Sequence, residues 1–354
     1  MQALFAFIVA FALALGLTPL VRALARKSGF MAYPDERSVH QRPVPYLGGV
    51  AIYLASVAAV LVTGPQNRPT QQALIFGGLF ILIVGIIDDL YNLKPWQKVL
   101  GQLGSALIVV ALGVDISFLT DPFTGKIRFT GIFAIPLTIL WVISFENLVN
   151  LSDGLDGLAA GISGITALVT VFASVRAGVP SVGLAAAAIA GSVFGFLPYN
   201  WHPASIFMGD AGAMYLGLAL SVISVQGLVK STLAMAVLAP ILALFVPISD
   251  AAFAILRRRS LGRPVARRDN DHIHHRLLEL GLGQKRAVLT IYVVTAVFGV
   301  LGLFSTFLPI SGTGPLAGLA VLGVLLVAHK MGILALPAER CRRKSRTNEA
   351  EHAE

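Results

Sequence analysis

The sequence predicts an all-α, polytopic integral membrane protein of about eleven transmembrane helices, with the N-terminus outside and the C-terminus in the cytoplasm. Three observations carry that reading. Of the 354 residues, 56% are apolar and only 13% charged, with a mean hydropathy of +0.79, whereas a water-soluble domain carries about 25% charged residues to wet its surface. Charge-free runs such as residues 1–21 match the roughly 20 apolar residues needed to cross about 30 Å of hydrocarbon, and they are too long for barrel strands of roughly ten alternating residues. The basic residues, finally, gather in one alternating set of connections.

The spans fall near 2–21, 47–63, 71–87, 98–114, 132–148, 157–175, 181–198, 211–228, 232–256, 287–308 and 314–334. The first lacks a basic segment ahead of its apolar core and reads as a retained helix, not a cleaved signal. Segments 22–46, 88–98 and 257–286 and the tail carry 21 of the 27 Lys and Arg residues; cytoplasmic loops collect such charge, which sets the orientation. On the opposite side, residues 115–131 alternate apolar and polar positions around Thr124-Gly125 and predict a short hairpin. Residues 1–336 form one transmembrane catalytic domain, and 337–354 a basic cytoplasmic tail expected to be disordered. The lone Cys341 can form no intrachain disulfide and supports no Cys-based metal site.

Carboxylates are expensive near a bilayer, so their positions are informative. Asp88 and Asp89 close an apolar run, Asp153 and Asp156 follow the fifth span, Asp210 precedes the eighth and Asp250 lies near the end of the ninth; the charge-derived topology puts all six at the cytoplasmic face. Asp250 is read as an ordinary helix-end acid. Asp88 and Asp89 oppose both each other and the dipole of the helix they end, a strain that a cation or a basic side chain would relieve; a solvated helix end is the plainer account. In N-L-V-N-L-S-D-G-L-D-G, Asn147 and Asn150 share a helix face ahead of two Asp-Gly pairs, an oxygen-rich turn suited to a hard cation or a nucleotide. Phe207-Met208-Gly209-Asp210 leads into the next span; Asp210 is either a helix N-cap or a third oxygen site, and Phe207 offers a ring on which a base could stack. The largest polar stretch contains His272, His274, His275 and Arg276. No complementary Cys/His set points to zinc, whereas His and Arg donors suit phosphate or diphosphate.

Acidic oxygen ligands, basic anion clamps and an aromatic shelf at one membrane face are the parts of phosphoryl transfer. Without a Walker A sequence, ATP is not the expected donor. The strings G-I-I-D-D-L-Y-N-L-K-P-W-Q-K, N-x-x-N-x-x-D-G-x-D-G-L-A, F-M-G-D-A-G and D-H-I-H-H-R-L resemble, in order and spacing, the polyprenyl-phosphate N-acetylhexosamine-1-phosphate transferases (glycosyltransferase family 4), over about residues 1–336. Four motifs in register are far more specific than one.

The resemblance implies a bacterial inner-membrane enzyme, active at the cytoplasmic face. Its reaction would move a sugar 1-phosphate, GlcNAc-1-phosphate first among the choices, from a UDP-N-acetylhexosamine to undecaprenyl phosphate, with release of UMP. It implies Mg²⁺, or Mn²⁺, on Asn150 and Asp210, uracil recognition by Asp156 and Phe207, and a phosphate contact for Lys98. Asp88 and Asp89 would lie at the nucleophile, Asn147 and Asp153 in the substrate site, and His272, His274, His275 and Arg276 at the donor phosphates and sugar. Membrane lipid is an expected partner, nucleic acid is not, and a homodimer is compatible with the pattern. Two positions depart from the family: Asn92 stands third in a D-D-x-x-D pattern, and Ala213 where many relatives have Ser. H-I-H-H-R looks more like the GlcNAc-1-phosphate transferases of O-antigen or teichoic acid synthesis than the H-H-H-F-E type of the phospho-MurNAc-pentapeptide enzyme, which stays an alternative. A transporter or flippase for lipid-linked sugars is the alternative from another class; it should show internal symmetry and mid-span polar residues, and no internal repeat is evident.

Overall fold

Helices account for nearly all regular structure in the computed structural model, which describes residues 1–34, 42–64, 67–120, 127–230, 241–260 and 273–305, with Phe307, Gly318 and Leu322. They are α1 (Gln2–Lys27), α2 (Gly48–Val62), α3 (Arg68–Tyr91), α4 (Pro95–Ala111), α5 (Ala134–Ser152), α6 (Leu158–Arg176), α7 (Pro180–Asn200), α8 (Gly209–Lys230), α9 (Phe245–Ser260), α10 (Ile273–Glu279) and α11 (Gln284–Ser305). Among the described residues six helices are long and apolar enough to cross a membrane: α1, α3, α5 with its leading 3₁₀ turn, α6, α7 and α11. The chain is an all-α, multi-pass membrane protein. The first eight expected spans each coincide with a helix; the ninth is described only from residue 241, the tenth is α11, and the eleventh and the tail lie outside the described residues.

Small side chains set the packing. Ala6, Ala10 and Ala14 recur every fourth residue and form a fully buried stripe on α1, which meets Gly191 and Gly195 of α7. A Cβ on Gly191 would lie 2.2 Å from the Phe7 carbonyl oxygen, and one on Gly195 2.4 Å from that of Phe11. Where lipid tails are as apolar as leucine, helices associate through such close backbone approach. The other side of α1 shows Leu4, Phe5, Ile8, Leu20 and Leu24 outward, as a lipid-facing surface requires. Helices α7 and α8 are buried nearly all round, with Phe196, Met214, Tyr215 and Leu216 inside, and α8 is flanked by α2, α3 and α5.

Local sequence explains the turn that matters most. Asn92 adopts the left-handed conformation (φ 49°) that ends α3, a role Asn fills at little steric cost. Leu93 N–H then donates to Asp88 Oδ1 at 2.9 Å. Pro95 opens α4 at the first helical position, where its missing N–H is not needed, and Lys94 N–H donates to Gln97 Oε1 at 2.9 Å. The reversal takes three residues, so Lys98, one turn into α4, faces the end of α3.

Two antiparallel hairpins complete the architecture. The expected hairpin is present, with β3 (Phe118–Thr120) on β4 (Ile127–Phe129) and Phe118 opposite Phe129; its Thr-Gly turn lies outside the described residues. The other, β1 (Met31–Ala32) on β2 (Val44–Pro45), falls in a segment that the sequence marks only as a charged connection.

The α1–α7 contact makes a direct prediction. Gly191→Val inserts a branched side chain where no Cβ fits, and overpacking of this kind costs about 1–3 kcal/mol. A lowered melting temperature in detergent is expected, with an exposed control such as Leu20→Val unchanged; equal melting temperatures for Gly191→Val and wild type would contradict the contact.

Candidate active site

The C-terminal ends of α3, α5 and α7 and the N-terminal ends of α4, α6 and α8 meet at one end of the bundle around a cleft of about 780 Å³. Asp210 lines this cleft, and behind it Lys98 Nζ lies 2.6 Å from Asp88 Oδ2, 2.8 Å from Asp210 Oδ2 and 3.2 Å from Asn150 Oδ1, while Asn150 Nδ2 donates to Asp210 Oδ1 at 2.6 Å. Four sequence-predicted residues from four helices thus share one polar cluster, and the paired-acid strain at the end of α3 has its cation.

Asp89 is relieved differently. Its carboxylate accepts from the backbone N–H groups of Asp210 (2.8 Å) and Ala211 (3.3 Å), so it caps α8 from another helix and sits on the positive end of that helix dipole. Gly209 (φ 74°) makes this possible, because a Cβ there would lie 2.5 Å from Asp89 Oδ2. The two readings of Asp210 are thereby separated: the N-terminus of α8 is capped by Asp89, and the Asp210 side chain turns to Lys98 and Asn150.

Below this cluster a polar ladder descends between α4 and α5. Asn147 Nδ2 donates to Gln102 Oε1 at 2.9 Å, and Ser105 Oγ donates to Glu146 Oε1 at 2.7 Å. Glu146 is fully buried, and its Oε2 has no partner among the described residues. Asn147 therefore ties α5 to α4 one turn below the cleft and is absent from its lining. Glu146 also corrects the picture of acids held at one face only, since it lies about two turns inside α5.

The walls come from loops. Asp153, Gly154, Leu155 and Asp156 line one side, with Asn200 and Phe207; Met31, Ala32, Tyr33 and Tyr46 of the β1–β2 region line another, and His275 and Gln284 a third. The Asp-Gly loop is fastened from behind: Gly157 N–H donates to Asn200 Oδ1 at 3.1 Å, and the Tyr292 hydroxyl donates to the Gly157 carbonyl. Gly154 packs on the buried His274, and a Cβ there would fall 2.3 Å from its Nε2. Helix α10 carries His274, His275 and Arg276; Asp250, expected at the end of its own helix, instead lies inside α9 and its carboxylate accepts from Ile273 N–H at 2.9 Å, at the start of α10. Arg276 pairs with Glu279 at 2.6 Å and lies off the cleft lining. His272 lies outside the described residues. Burial, with the carboxylates of Asp210, Asp89 and Asp156, pushes the Asp153 carboxyl up to about 8.

Among the described residues no three His, Cys, Asp or Glu side chains form a metal cage. Hard oxygens nevertheless converge, since Asp88 Oδ2, Asp210 Oδ2 and Asn150 Oδ1 all surround one cationic nitrogen. That donor set fits Mg²⁺, which needs only one or two carboxylates and completes its shell with water and phosphate oxygens.

Comparison with known proteins agrees with this geometry. Residues 72–228, which run from within α3 into α8, match glycosyl transferase family 4. A Bacillus subtilis (strain 168) protein named probable undecaprenyl-phosphate N-acetylglucosaminyl 1-phosphate transferase is 41% identical over 296 residues, 83% of this chain and 82% of its own. The chain belongs to glycosyl transferase family 4. Within this family, the decaprenyl-phosphate N-acetylglucosaminephosphotransferase of Mycolicibacterium smegmatis is 35% identical over 88% of the chain and 84% of its own length. A phospho-N-acetylmuramoyl-pentapeptide-transferase of Desulforudis audaxviator is 30% identical over 84% and 95%.

Sequence reasoning on this family 4 chain missed Asn200, Tyr46, the β1–β2 wall and Glu146. Glu146 directly precedes Asn147 in sequence, so its buried position was open to inference from the two apolar turns before it; Asn200 and Tyr46 carry no local signal.

The Asp153 environment predicts a pH dependence. The folded value of about 8 stands above the ordinary 3.8, so the folded state holds an extra proton between them, and stability of the ligand-free protein falls as pH rises through that window. Asp153→Asn removes this slope: its advantage in melting temperature over wild type grows from about pH 5 to about pH 8 and then levels off. A constant difference across that range would contradict the assignment.

Proposed function

We propose that this protein transfers a sugar 1-phosphate, GlcNAc-1-phosphate, from the UDP-sugar to undecaprenyl phosphate and releases UMP. The observation that carries the reading is the Asp210 carboxylate, freed from capping by Asp89, lining an open cleft and held from behind by Asn150 and Lys98. Relatives named for N-acetylglucosaminyl 1-phosphate transfer, over more than four-fifths of both chains, support the choice of sugar. We further propose eleven spans with the N-terminus outside, the cleft at the cytoplasmic face of a bacterial inner membrane, and O-antigen or teichoic acid synthesis downstream; the segregation of basic residues supports that orientation.

The residues act mainly by position and charge. Asp210 and Asn150, with Asp88 beside them, would hold Mg²⁺, which supplies charge neutralisation to the transferring diphosphate. Lys98 is already gathered among those oxygens and can turn its ammonium to phosphate once the carboxylates have another cation. His275, Phe207 and Asp156 line the same cleft as Asp210; His275 would donate to phosphate or sugar, and Phe207 and Asp156 would meet the nucleobase. The second pKa of a phosphate monoester is about 6, so the lipid phosphate is largely dianionic at neutral pH. Its oxygen attacks the sugar-bearing β-phosphorus, the P–O bond to the α-phosphate breaks, and UMP leaves with that bond's electrons. Asp88 and Asp89 orient the groups around the nucleophile and form no covalent adduct.

Purified protein supplied with Mg²⁺, undecaprenyl phosphate and UDP-GlcNAc should release UMP only when lipid is present. Asp210→Asn should lose about 100-fold or more of that turnover and yet remain folded, because α8 keeps its Asp89 cap. Near-normal turnover of Asp210→Asn, or a stoichiometric burst of UMP without lipid, would overturn the reading.

A further inference from the structure

His202 lies in the loop between α7 and α8 and is used by nothing described so far. It does not line the cleft. Its Nδ1 sits 2.7 Å from Asp156 Oδ2, and Ala204 N–H donates to the same oxygen at 3.1 Å. A carboxylate only accepts, so the ring donates from Nδ1. Two donors from behind fix one oxygen and with it the plane of the carboxyl group, and Asp156 Oδ1 has no partner among the described residues. Asp156 itself lines the cleft beside Phe207 and Asn200. Oδ1 is therefore the oxygen left to serve a ligand.

The loop does not need the imidazole to keep its shape. Asn200 Nδ2 donates to the Ile206 carbonyl at 3.0 Å, and Ser205 donates to the Tyr199 carbonyl from both its backbone N–H (2.8 Å) and its hydroxyl (2.9 Å). Phe207 N–H donates to Pro45 O at 2.8 Å, and Gly48 N–H donates to Phe207 O at 2.9 Å. Removing the ring leaves Ala204 N–H alone on the Asp156 carboxylate, which loosens it, while the loop that carried the imidazole stays pinned and the Asp156 loop keeps its own ties through Gly157.

We infer that His202 is a positioning residue for nucleobase selection: it locks Asp156 so that a single acceptor oxygen faces the base. Such an oxygen suits a base whose edge presents an N–H donor, as the imide N3–H of uracil does. Cytosine presents a bare N3 acceptor at that position and meets the carboxylate oxygen lone pair to lone pair. A site built around a buried hydrogen-bonding group discriminates strongly against a ligand that leaves it unmatched. The inference rests on the proposed UDP-sugar reading of the cleft, and adds to it the residue that sets the orientation of the reading group.

The test uses the full chain in lipid-detergent micelles, with UMP and CMP binding measured alongside steady-state kinetics. For His202→Ala the KM for UDP-GlcNAc should rise about tenfold, the cost of loosening one hydrogen bond to a charged group. Its kcat should change little, and so should the KM for undecaprenyl phosphate. The preference for UMP over CMP should fall in proportion. His202→Asn, whose amide can donate from near the Nδ1 position, should restore most of both; His202→Gln, whose amide reaches the Nε2 position, should not, and it carries the same expectation where the alanine variant fails to fold. A fall in kcat at unchanged KM, an equal loss of UMP and CMP affinity, or an asparagine variant as poor as alanine would overturn the role of His202. A wild-type protein that does not prefer UMP to CMP would instead overturn the uridine reading itself, and the inference with it.

Discussion

One ammonium group holds the cleft end of the bundle together. Lys98 Nζ lies within 3.2 Å of oxygens on Asp88, Asp210 and Asn150, which arrive from three other helices with mostly apolar bodies. Carboxylates gathered at a membrane face repel one another and lose hydration, and removing the counter-charge leaves a cost far larger than the net worth of the pairs. The need for positive charge is therefore structural before it is catalytic. Under the proposed function the same oxygens would hold a cation that accompanies the diphosphate, and Lys98 would then be free to meet the anion.

The second constraint is division of labour between adjacent acids. Asp88 is drawn sideways to Lys98, and Asp89 forward onto the N-terminal amides of α8. Neighbouring residues on a helix point about 100° apart, so an Asp-Asp pair at a helix end can address two partners that no single carboxylate reaches. Fixing α8 through Asp89 sets the direction of the Asp210 side chain, and Gly209 leaves the space in which that contact forms. Deeper down, Gln102, Asn147, Ser105 and Glu146 keep α4 and α5 in register, which holds Lys98 at the height of Asn150.

Much of this was legible before any coordinates. Hydropathy located the helices because a span must satisfy its backbone internally over a fixed thickness, and Asp88, Asn150, Asp153, Asp156, Phe207 and Asp210 stood out as polar or aromatic positions beside apolar runs. Partner choice was not legible. That Asp89 caps α8, that Asn147 turns to Gln102, and that His202 backs Asp156 are contacts between residues 45 to 122 positions apart, and no local period encodes them. The β1–β2 wall escaped for another reason, since two-residue strands leave no alternation to detect.

The most direct test of the central claim is a double-mutant cycle on folding stability with Lys98→Met, Asp210→Asn and the pair together. Thermal or denaturant unfolding in lipid-detergent micelles, without nucleotide or divalent cation, isolates the contribution of the ion pair. If Lys98 is the charge that allows these oxygens to meet, the two substitutions are coupled by about 1–3 kcal/mol, and the double variant is more stable than the sum of the single losses predicts. Single effects that add to within about 0.5 kcal/mol would show that the two groups do not depend on each other, and would contradict the account.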